Sequence, residues 1–132
     1  MKNILILGSL PKDDEDIALY DSLIEVSKNH ADSVKSPIDT ANFKGTDKER
    51  YVRAFQIVKE SDLVIGEQSR PSTGQGMEIR ECANLNKPLI IVAKTGSSIS
   101  GLVKACPILK EIIYYDDLND LKSKLDTLLS RL

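Results

Sequence analysis

The sequence predicts a three-layer α/β fold of flavodoxin-like type, with a five-stranded parallel sheet in the order 2-1-3-4-5. Three observations predict it. Short, wholly apolar runs (NILIL, DLVIG, LIIVA) alternate with longer stretches of helical spacing. Strands apolar on both sides belong to sheets covered on both faces, which parallel βαβ units produce. The 132 residues suit a single domain spanning 1–132, with no repeat, low-complexity tract or linker to divide it.

The elements follow in order. Asn3–Leu7 is a buried strand ending at Gly8-Ser9. Residues 14–29 form a helix with Ile17, Tyr20, Leu23 and Ile24 at helical spacing and acids in the first turn, where the macrodipole favours them. Residues 33–36 make a weak second strand closed by Pro37, and 47–60 a helix with Tyr51, Phe55 and Val58 on one face. Residues 62–66 are the third strand. The polar loop EQSRPSTGQG then leads into a helix from about Gly76 to Asn84. Asn86-Lys87-Pro88 turns the chain into the fourth strand, 89–93. A short helix over 98–106 stops at Pro107, the fifth strand is 111–115, and 117–131 is a helix with Leu118, Leu121, Leu125 and Leu128 or Leu129 at core spacing.

Composition removes several function classes. Eighteen basic against 20 acidic residues give a net charge of -2, without the basic excess of a protein that binds nucleic-acid polymers. No apolar run approaches the ~20 residues of a membrane span, and the last helix lacks a basic, membrane-binding face. The N-terminus reads as a strand rather than a secretion signal, so a cytoplasmic protein is expected. Cys82 and Cys106, without CxxC spacing, read as reduced core thiols; with one histidine, His30, they make no metal site.

In this fold, ligands bind at the carboxyl ends of strands 1 and 3, where the winding reverses. The loops there, 8–16 and 67–76, are the ones richest in Gly, Ser and acids. A phosphoacceptor domain would end strand 3 in aspartate and strand 5 in lysine, whereas Glu67 and Tyr114-Tyr115-Asp116 stand there. A flavodoxin would carry a hydroxyl-rich phosphate loop after strand 1, where GSLPKDDED has one serine followed by acids. The segment Pro71-Ser72-Thr73-Gly74-Gln75-Gly76-Met77-Glu78 is more informative. Its glycines allow positive φ and close backbone approach, and it opens onto a helix N-terminus suited to an anion. Glu78 then falls in the first helical turn. An anion pocket beside a carboxylate suits a phosphorylated substrate that reacts one sugar ring from its phosphate. A plain glycine turn with a dipole-favouring glutamate fits the same spacing.

Three segments, LILGSLPKDDEDIALY, SDLVIGEQSRPSTGQGMEIRECA and SISGLVKAC, resemble the 2'-deoxynucleoside 5'-phosphate N-hydrolases of the nucleoside 2-deoxyribosyltransferase superfamily. The likeness runs in order along nearly the whole chain, and PSxGxGxE is its specific part. It implies cofactor-free hydrolysis of nucleoside 5'-monophosphates to free base and sugar 5-phosphate by a homodimer. Gly8, Ser9, Ser72, Gly74 and Gly76 would hold phosphate, with Ser100 supplied across the subunit interface. Glu78 would be the nucleophile, forming a covalent glutamyl-sugar intermediate as in retaining glycoside hydrolysis, kept ionised by the helix N-terminus.

The departures are as informative. The family's proton-transfer aspartate falls on Ala54, an aromatic of strand 1 on Leu5, a loop arginine on Pro11 and a histidine on Pro37. Asp13, Asp14, Asp16 and Glu67 are the substitute acids, Asp16 and Glu67 being the candidates kept for proton transfer. Local readings stand beside these. Ser100 suits a helix N-cap, the 13–16 acids a solvated helix start, Glu67 a partner for Arg70, and Tyr20 core or pocket wall. Two other functions stay open: a catalytically silent nucleotide-binding or regulatory protein, motivated by Ala54, and deoxyribosyl transfer between bases.

Overall fold

Side chains alternate across the strands and divide the core in two. Ile4, Ile6, Leu63, Ile65, Ile90 and Val92 point to one face, where they meet Leu19, Leu23, Leu121 and Leu125. Leu5, Leu7, Val64, Leu89, Ile91 and Ala93 point to the other, against Val58, Ile79 and Cys82. This two-sided burial explains the unbroken apolar runs. Truncating a fully buried member such as Ile65 to Ala costs about 2–5 kcal/mol.

The computed structural model describes residues 1–132. Its strands are β1 (Asn3–Leu7), β2 (Ser33–Lys35), β3 (Leu63–Glu67), β4 (Leu89–Lys94) and β5 (Leu109–Tyr115). Its helices are α1 (Asp14–Lys28), α2 (Pro37–Asn42), α3 (Asp47–Glu60), α4 (Thr73–Asn84), α5 (Gly101–Lys104) and α6 (Leu118–Leu129). All strand pairs are parallel and the order is β2-β1-β3-β4-β5, as expected from the sequence. Helices α1 and α6 cover one face of the sheet, and α3 and α4 the other. No helix is long and apolar enough to cross a membrane.

Four expectations need correction. Helix α4 begins at Thr73, because the Ser72 hydroxyl caps it by accepting the Gln75 N–H at 3.3 Å. Gly74 and Gly76 therefore sit in its first turns without positive φ. The segment after β2, for which the sequence predicts no element, forms the short helix α2, started by a reciprocal capping box between Ser36 and Asp39 with Pro37 at its first position. Helix α5 is only four residues long and leaves Cys106 outside it. On α3, Val58 is buried, but Tyr51 is exposed and Phe55 half-buried; their rings pack against each other at a 54° tilt, 4.5 Å between centroids. The turn at Asn86 is as expected: φ is +55° there, a conformation asparagine tolerates. Cys82 and Cys106 are free thiols, and burial pushes Cys82 up to about 12, so it is inert.

Candidate active site

Two clefts open at the carboxyl ends of the central strands, and Ser9 lines both. The larger, about 1170 Å³, lies on the α3–α4 side. Its floor is the end of β1 with Gly8 and Ser9, and its walls are α2, α3 and the start of α4. The smaller, about 450 Å³, lies between α1, the end of β3 and the β5–α6 junction.

Ser72, Gly74 and Glu78 share the larger cleft. The Ser72 oxygen accepts from Gln75, which leaves its own O–H free to donate. The Thr73 and Gly74 amides precede the first intrahelical bond of α4, so they too remain open donors. A Cβ added at Gly74 would meet nothing within 4 Å, so the backbone is open to a ligand there. Together these groups form an anion-binding mouth.

Glu78 is the sixth residue of α4, in its second turn rather than its first, and it is half-buried. At that depth the N-terminal dipole has faded. Burial pushes its carboxyl up to about 7, against the sequence-based expectation that the helix end keeps it ionised.

The remaining sequence candidates are distributed as follows. Gly8 lines the larger cleft; a Cβ on it would lie 2.9 Å from Cε1 of Tyr20, so glycine there admits the Tyr20 ring. Tyr20 is buried, its hydroxyl donates to the Ser9 carbonyl, and burial pushes that hydroxyl up to about 12. The Ser9 hydroxyl donates to the Arg70 carbonyl at 2.6 Å, joining the two loops. Gly76 is exposed and lines neither cleft. Ser100 is exposed at the N-cap position of α5, its hydroxyl makes no capping bond, and it also lines neither cleft.

Asp16 and Glu67 line the smaller cleft, not the one that holds Glu78. Asp16 is held below the usual carboxylate range by the Lys12 N–H at 2.8 Å and by Arg70 at 2.8 Å. Asp16, not Glu67, is therefore the partner of Arg70. Glu67 is buried and accepts from the Ser69 amide and hydroxyl and from the Tyr115 hydroxyl. Of the other first-loop acids, Asp13 caps α1 and Asp14 lies exposed in its first turn.

Ala54 lines the larger cleft, and around it stand residues that the sequence reading passed over: Lys12, Lys35, Asp39, Phe43, Arg50 and Arg53. Singly, charged residues in loops or on a helix read as solvated surface. Only the Ser36-Pro37-Ile38-Asp39 capping pattern could have announced α2, and with it the wall.

A bacterial protein from Syntrophotalea carbinolica that bears the name 2'-deoxynucleoside 5'-phosphate N-hydrolase 1 is 32% identical over 107 residues, spanning 80% of this chain and 73% of its own length. The chain belongs to the 2'-deoxynucleoside 5'-phosphate N-hydrolase family. A second N-hydrolase relative, the zebrafish (Danio rerio) 5-hydroxymethyl-dUMP N-hydrolase, is 24% identical over 126 residues, 87% of this chain and 88% of that protein. Among solved structures, the Clostridium botulinum CMP N-glycosidase BcmB superposes with a TM-score of 0.75 over 96% of this chain and 99% of its own; at 18% identity this bears on the fold. No family model matches the sequence. In this family member, the loop–helix segment singled out from sequence forms one wall of the larger cleft.

Proposed function

We propose that the chain hydrolyses the N-glycosidic bond of (2'-deoxy)nucleoside 5'-monophosphates, with Glu78 as a nucleophile that carries the sugar as a covalent ester. The observation that carries this reading is a half-buried carboxylate in the same cleft as the open amides of Thr73 and Gly74 and the free O–H of Ser72. Family membership supports the coarser statement, an N-glycosidase acting on nucleotides.

In the proposed sequence the 5'-phosphate sits at the mouth of α4 and the sugar reaches inward to Glu78. A carboxylate oxygen bonds to C1' as the C1'–N bond breaks. Water then attacks C1', restores the carboxylate and releases sugar 5-phosphate. The raised carboxyl fits this role: a poorly solvated carboxylate is the stronger nucleophile once ionised, and it ionises near neutral pH.

We further propose a homodimer that brings Ser100 to the partner's cleft. What supports it is the idle, exposed hydroxyl of Ser100 two residues from Leu102, which is 87% exposed.

The test is a panel of nucleoside monophosphates assayed for free base, with Glu78→Gln as control. Base release by the unmutated protein and none by the variant is the expected result. Nucleotide-induced stabilisation with no base release from any substrate would instead leave a silent binding protein. Base transfer to an added second base in preference to water would point to a transferase.

A further inference from the structure

Breaking a C1'–N bond leaves an electron pair on the base, and the cleft must meet that charge with a proton or with a positive field. Besides Glu78, the larger cleft has two carboxylates. Asp39 accepts the Ser36 N–H at 2.8 Å and is committed to starting α2. Asp47 stands at the exposed first residue of α3. Neither is a poised acid.

The cations are arranged differently. Lys12 and Lys35 line the cleft from beyond β1 and from β2, Arg50 and Arg53 reach it from α3, and no carboxylate lies within 4 Å of any of the four side-chain charges. Arg53 is half-buried, with its guanidinium over the Phe43 ring, 4.9 Å from the centroid. The stack fixes a planar cation in a partly dry wall without a counter-charge. Arg50 lies three residues before Arg53 and four before Ala54, so the three share one stripe of the helix. The methyl of Ala54 offers the two guanidiniums no acid to fold back on.

We propose that Arg53, assisted by Arg50, takes up the leaving-group charge, so that the base departs as an anion held by the guanidinium and no side chain donates a proton. This inference rests on the hydrolase reading and names its substrate class: nucleotides whose base has a carbonyl conjugated with the leaving nitrogen. The charge then spreads onto an oxygen that a guanidinium fork grips. The step balances. A Glu78 oxygen bonds to C1', and the C1'–N electron pair stays on the base. The base anion takes a proton from one water, and the hydroxide so formed displaces Glu78 from C1'. One water is consumed in all.

The experiment follows base release from deoxyuridine monophosphates substituted at C5 to grade base acidity, over roughly pH 6 to 10, where arginine keeps its charge. It compares the unmutated protein with Arg53→Ala, Arg53→Lys and Ala54→Asp, each checked for cooperative unfolding. The expected kcat/KM rises through neutrality and falls again only where the N3–H of the substrate base itself ionises. Arg53→Ala should lose about a hundredfold with the least acidic base and about tenfold or less with the most acidic, a graded loss that a merely structural role would not produce. Arg53→Lys should recover part of it, and Ala54→Asp should slow the reaction by giving Arg50 a partner one turn away. An alkaline limb that falls at lower pH than the substrate's own N3–H ionisation, an Arg53→Ala loss equal for all bases, or a faster Ala54→Asp enzyme would overturn the inference and leave the hydrolase reading intact. No base release by the unmutated protein from any monophosphate overturns both.

Discussion

Replacing Glu78 with glutamine removes a charge that folding has partly taken out of water, so it should stabilise the protein while abolishing turnover. The carboxyl lies near its ordinary 4.5 in the unfolded chain and at about 7 when folded. The folded state therefore binds the proton more tightly. Stability from this group is fully present below pH ~4.5 and is lost as the pH rises to ~7. Integrating between pH 5 and pH 8, the unmutated protein loses about 2–3 kcal/mol that Glu78→Gln keeps. At this chain length that is on the order of 10 °C in Tm. Urea unfolding of both proteins at the two pH values measures it directly, with base release falling at least about a thousandfold in the variant. The outcome that refutes the reasoning is a pair of parallel pH–stability curves, which would mean that Glu78 is as well solvated folded as unfolded. Over the same interval kcat/KM should rise with pH, because the nucleophile is the ionised form.

Other predictions concern the frame of the site. Ser72→Ala removes the α4 cap and should cost about 1 kcal/mol in urea unfolding, while KM for a monophosphate rises about tenfold and kcat changes less. Gly8→Ala drives a methyl to 2.9 Å from the Tyr20 ring and should destabilise by about 1–3 kcal/mol, read as a lower urea midpoint. Tyr115→Phe takes one donor from buried Glu67 and should cost about 1–2 kcal/mol. Because Tyr115 lines the smaller cleft, base release per folded molecule should stay within about twofold of the unmutated rate.

The three central strands were readable because burial on both faces favours unbroken apolar runs, as in Ile4 to Leu7 and Leu89 to Ala93, whereas the edge strands β2 and β5 are largely exposed or half-buried. Helix α3 was readable from end to end, since Thr46 and Glu49 form a capping box at its start. The start of α4 was not. Gly74 and Gly76 argue against helix by propensity, and the Ser72–Gln75 cap outweighed them. Residues 37–42 were missed for lack of a long apolar stripe; only Pro37 of α2 is buried. The site divides in the same way. Ser72 and Glu78 are marked by a local motif, so spacing found them. The Arg53–Phe43 stack and the convergence of Lys12 and Lys35 on the cleft that the α3 arginines line arise from folding α2 and α3 over the end of β1, and no local pattern encodes that. Asp16 and Glu67 show the converse: neighbours of the right strands in sequence, they are turned to the opposite side of the sheet.

The Ser9 linkage has a mechanical corollary. One residue fastens loops that lie 61 positions apart: its hydroxyl grips the backbone of Arg70 while its carbonyl is gripped by Tyr20. The two loops at the rim of the larger cleft are thus tied to each other, which on the proposed reading holds both in place before any nucleotide arrives. A guest docking there need not order either loop, so its affinity is spared that entropic tax, and recognition approaches lock-and-key.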